Sequence, residues 1–134
     1  MPNGFQGSQS QWETLEMPLR SLDGELRAFA ERYGLALSSN GRAWPDRSIV
    51  WGGSIRRLIQ IYVADDERVT YNFWLCASED RGDKRYWRRA LLKQAVPMGE
   101  IAGELPALLE QSRQLLESWT SETLEFGTVL SPLP

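Results

Sequence analysis

A chain of 134 residues has room for one domain, and 42% hydrophobic with 25% charged residues is an ordinary globular composition. The complete absence of histidine removes the commonest general base near neutral pH, the base of Ser-His and Cys-His pairs, and the most used transition-metal ligand. Single Cys76 excludes an intramolecular disulfide framework and a cysteine zinc cluster, so no cofactor or metal is expected, and a reducing, cytoplasmic setting is.

In chain order, Met1 to Gln11 holds Pro, Asn, Gly, Ser and Gln around one Phe5 and lacks the basic-then-apolar layout of a secretory leader. Residues 1–12 therefore read as a flexible tail, 13–126 as a single domain, and 127–134, apolar but containing Pro132 and Pro134, as a strap over the core or a loose tail. Leu19, Leu22, Leu26, Phe29, Ala30 and Tyr33 recur at spacings of three and four, predicting a helix over Ser21 to Tyr33. Pro18 would precede it, Ser21 and Asp23 would cap it, and Gly34 would end it. Leu35 and Leu37, followed by Asn40-Gly41, predict a short strand and a tight turn; Ile49 to Trp51 predicts a second strand, broken at Gly52-Gly53.

The clearest segment is a hairpin. Ile59, Ile61 and Val63 alternate with polar positions up to Asp65-Asp66-Glu67-Arg68, after which Val69, Tyr71, Phe73 and Leu75 alternate in the same way. One face is uniformly apolar and must be covered; the other carries Tyr62, Trp74 and Cys76 among polar residues and is partly apolar too. Asp83 to Ala95 admits strand or helix. Its residue types, and the separation of Trp87, Ala90, Leu91 and Ala95 from Arg85, Arg88, Arg89 and Lys93 at 100° per residue, favour helix. From Leu105 to Trp119 a four-turn stripe predicts a long amphipathic helix with Pro106 in its first turn, the natural lid for the sheet. The predicted fold is thus two-layer α+β, with an antiparallel sheet of three to five strands packed on one face by an N-terminal helix and a long C-terminal one.

Two features suggest binding rather than catalysis. Arg81, Lys84, Arg85, Arg88, Arg89 and Lys93 against Asp83 give residues 81–93 a local charge of +5, with Tyr86 and Trp87 interleaved; from Pro97 on, six glutamates against Arg113 give −5. Such asymmetry steers a charged partner, and salt bridges between the two segments are the plainer reading. Six tryptophans are many for this length. Trp87 and Trp119 lie on the predicted apolar stripes, whereas Trp44, Trp51 and Trp74 are candidate contact residues, together with Arg85, Arg88, Arg89 and Lys93. The acidic turns solvate hairpin tips; they lack calcium-loop spacing and lie at opposite ends of one strand, so no catalytic residues are named. Cys76, without a histidine, reads as a small strand side chain rather than a nucleophile.

The layout resembles small secretion chaperones and toxin-immunity proteins at the level of architecture alone, and no motif of either is present. The function expected is non-enzymatic binding of another protein, acidic or phosphate-bearing, as an adaptor, chaperone-like or immunity-type domain in the cytoplasm. The alternatives are RNA or single-stranded nucleic-acid binding through residues 81–93, opposed by the net charge of −3, and a small-molecule or enzymatic site between sheet and helix. No membrane partner is expected, because no apolar run approaches the ~20 residues of a membrane helix.

Overall fold

Alternating apolar residues make the strands, and the sheet they form is a simple meander. In a computed structural model, which describes residues 9–39, 45–65 and 67–126, helices α1 (Gln9–Arg20) and α2 (Asp23–Tyr33) precede strands β1 (Ala36–Ser38), β2 (Asp46–Val50), β3 (Arg56–Asp65), β4 (Thr70–Arg81) and β5 (Lys84–Pro97). Helix α3 (Met98–Ser118), a short 3-10 turn (Ser121–Thr123) and the two-residue β6 (Glu125–Phe126) follow. The strands are antiparallel and ordered β1-β2-β3-β4-β5-β6. The architecture is the predicted two-layer α+β, and the central hairpin is present, pairing Ile59 with Leu75, Ile61 with Phe73 and Val63 with Tyr71, while Val69 lies in the turn before β4 at φ 54°.

All three helices pack on one face of the sheet. Ile49, Ile59, Ile61, Tyr71, Phe73, Leu75 and Ala90 meet Leu19, Leu26, Phe29, Ile101, Leu105, Leu109, Leu116 and Trp119 in one buried cluster. Each such aliphatic side chain contributes about 1.5–3 kcal/mol by leaving water, so this layer dominates stability. Two polar devices fasten the helices. Arg47, 7% exposed, donates through Nε to Asp23 Oδ1 at 2.7 Å and through Nη1 to Glu16 Oε1 at 3.1 Å, joining β2 to α2 and α1. Arg57 donates to the Leu116 and Trp119 carbonyls at 2.8 and 2.7 Å, tying the end of α3 to β3.

Four expectations need correction. Residues 9–12 are not tail: they open α1, where Trp12 is 6% exposed. The single N-terminal helix is two, α1 running through Pro18 and α2 beginning at Asp23; Ser21 Oγ donates to the Pro18 carbonyl and Asp23 binds Arg47, so neither side chain caps α2. Gly34 does end α2, in a left-handed conformation at φ 67°. Helix α3 starts directly after Pro97, placing Pro106 in its interior, on the exposed side beside Ala102 and Gly103. The fourth correction is the largest: residues 84–97 are a strand. A helix there would have left the long β4 without a partner along one edge. Gly82, at φ 68°, instead opens a two-residue hairpin loop that pairs Arg81 with Lys84. The arginines misled the helical reading because two of them lie on aromatic rings, Arg89 on Trp74 and Arg88 on Trp119, so both faces of the strand mix charge and burial. The pairing is interrupted around Asn72, whose Oδ1 accepts the Ala95 N–H at 2.8 Å while Ala95 takes φ 48°.

Candidate functional site

Side chains alternate across a strand, so the register that buries Ile59, Phe73 and Leu75 under the helices sends their neighbours to the opposite face. That face carries Val50 on β2, Arg56, Leu58, Gln60 and Tyr62 on β3, Trp74, Cys76, Ser78 and Asp80 on β4, and Arg85, Trp87, Arg89 and Leu91 on β5. Among the described residues no helix lies over it. Val50, Leu58, Tyr62, Trp74 and Trp87 are half-buried there, and Leu91 is buried.

The centre of this surface is a β4/β5 ladder. Trp74 lies opposite Leu91, Cys76 opposite Arg89, Ser78 opposite Trp87 and Asp80 opposite Arg85. The Arg89 guanidinium sits 4.4 Å from the Trp74 ring centroid and also reaches the Cys76 sulfur. Burial pushes the Cys76 thiol up despite the lowering influence of Arg89, so it is a neutral thiol at pH 7, not an activated nucleophile. At the hairpin end Arg85 donates to Asp80 at 2.8 Å, a pair that holds the Asp80 carboxyl below its usual range. At the far end burial and the nearby Asp46 charge raise Tyr62.

The candidate contact residues do not form one surface. Trp74, Arg85 and Arg89 share the uncovered face, joined by Trp87, which is half-buried there rather than in the core. Trp51 is removed from any contact surface: it is 8% exposed under α3, with its indole N–H donated to Glu117 at 3.3 Å. Arg88 points to the helix side, 4.8 Å from the Trp119 ring. Lys93 reaches Glu104 at 3.5 Å, the one ion pair among the described residues between the basic segment and α3. Trp44 lies outside the described residues. Reading the strand from Ile59 missed Arg56 and Leu58, although continuing the same alternation two positions upstream assigns both to this face.

Two shallow grooves lie elsewhere. One of about 330 Å3 lies between the end of β5 and the start of α3, lined by Lys93, Val96, Glu100, Ile101 and Glu104. Another, about 320 Å3, runs between α2 and α3 over Phe29, Tyr33 and Leu109. Among the described residues no three Cys, Asp or Glu side chains gather as a metal would need, and no helix is long and apolar enough to cross a membrane. A scan against protein-family models and searches of curated proteins and solved structures gave no match to this chain.

Proposed function

We propose that this chain is a non-enzymatic, cytoplasmic protein-binding domain, of the adaptor, chaperone-like or immunity type, that docks its partner on the uncovered sheet face. The observation that carries the reading is the one-sided packing: the helices are spent on one face, while the other presents Trp74, Trp87 and Leu58 half-buried around a fixed arginine. A flat, rigid patch with tryptophan and arginine at its centre has the composition of interface anchors, and its rings lose little entropy on binding because neighbours already hold them.

The same face weighs against the nucleic-acid reading. Arg88 and Lys93 turn to the helix side, Arg85 is neutralised by Asp80, and Asp80 and Glu125 place two carboxylates on the surface a phosphodiester chain would cross. Affinity for such a chain grows with the number of phosphates neutralised, and few cations remain for it.

The test is capture from extract of the native host, comparing the wild type with W74S/W87S and with R27E, which changes an exposed residue of α2. A protein retained by the wild type and R27E but lost with W74S/W87S supports the docking face. Retention by the wild type and both variants alike refutes it.

A further inference from the structure

Two guanidiniums on the uncovered face, unlike Arg85 on the same face, have no counter-ion among the described residues. Arg47, Arg81, Arg85 and Arg113 each bind a carboxylate, whereas Arg56 and Arg89 have no carboxylate partner among the described residues. The register sets them on opposite sides of β4, Arg56 across from Ser78 and Arg89 across from Cys76. Strands β3 and β5, which carry them, lie about 10 Å apart with β4 between, so one group above β4 is within reach of both side chains. The floor between them is Cys76 and Ser78, both small, and Trp74 and Trp87 stand at either end. Arg89 is half-buried and already oriented by the Trp74 ring. A partly desolvated guanidinium without an anion is costly to hold and gains most from a bidentate carboxylate.

Resting on the docking reading above, we infer that the partner is an acidic segment of another protein, which sets an Asp or Glu carboxylate between Arg56 and Arg89 and its apolar neighbours on Trp74, Trp87 and Leu58. One carboxylate against two cations suits a local contact. A nucleic acid would bring a row of phosphates past Asp80 and Glu125, to its disadvantage.

The test is NMR titration of labelled full-length protein with three probes: the peptide acetyl-Ile-Glu-Phe-Glu-Val-amide, its glutamine counterpart, and an eight-residue oligothymidine. Shifts should centre on the Trp74 and Trp87 indole N–H and the Arg56 and Arg89 Nε–H signals, with the acidic peptide binding about tenfold more tightly than the glutamine peptide. R56Q, which leaves the Trp74 stack untouched, should reduce that preference, and R56Q/R89Q should abolish it while the glutamine peptide still binds. Equal binding of both peptides on this face would overturn the carboxylate inference and leave the docking face standing. Tighter binding of the oligothymidine, weakening steeply with salt, would overturn both, as would peptide shifts confined to the helix side or no binding by any probe.

Discussion

Replacing Arg47 by alanine tests how the helical layer is held on the sheet. Arg47 is 7% exposed and Glu16 8%, and the guanidinium spans Glu16 and Asp23, so its removal leaves a buried glutamate without its main partner. Among the described residues Glu16 then keeps only Arg20 as an ion-pair partner, at 3.7 Å and half-exposed. Breaking a buried pair from one side costs about 3–5 kcal/mol, because the stranded charge stays desolvated. At about 2 cal/mol/K of unfolding entropy per residue, that loss lowers Tm by about 10–18 °C in a domain of this size. D23N removes a partner whose side chain is 23% exposed and should cost about 1–2 kcal/mol, since water can reach what remains. Urea unfolding followed by tryptophan fluorescence, with m unchanged, measures both. A loss below about 1 kcal/mol for R47A, or a larger loss for D23N than for R47A, would refute the reasoning.

Three further outcomes follow from the fold. R57A should release the end of α3 by removing donors to the Leu116 and Trp119 carbonyls, costing about 2–3 kcal/mol, with hydrogen exchange accelerated at residues 116–124 ahead of the sheet. Tyr71 is fully buried, donates to the Leu15 carbonyl at 2.6 Å, and has its pKa pushed up to about 12, first by burial and then by the Glu16 charge. Its folded value lies above its unfolded one, so its contribution is complete below pH 10 and is lost as pH rises from 10 to 12. Alkaline titration of stability should show this decline, up to about 3 kcal/mol, and Y71F should flatten it. G82V should cost about 1–2 kcal/mol, because a β-branched residue strains at φ 68°, and denaturant midpoints with an unchanged slope would show it.

The central hairpin was legible because period-two alternation over Ile59 to Leu75 has one interpretation, and the same alternation already marked Tyr62, Trp74 and Cys76 as a second, partly apolar face. What stayed hidden depends on contacts distant in sequence. Arg88 and Arg89 look alike as letters, yet one stacks on Trp119 and the other on Trp74, on opposite sides of β5. Trp51 sits in a brief apolar run that could face either way, and α3 closing over the sheet decides that it is buried. Arg47 and Arg57 reveal themselves only through Glu16, Asp23 and the end of α3. Residues 84–97 show propensity overridden by tertiary pairing: helix-favouring Ala, Leu, Arg and Lys become a strand because β4 offers a long edge.

The most direct test of the docking face is photo-crosslinking in the native host, with benzoyl-phenylalanine placed at position 87 on the uncovered face or at position 111 on the exposed side of α3. A discrete protein adduct from position 87 and none from position 111 is the predicted result. An adduct from position 111 alone would contradict the account.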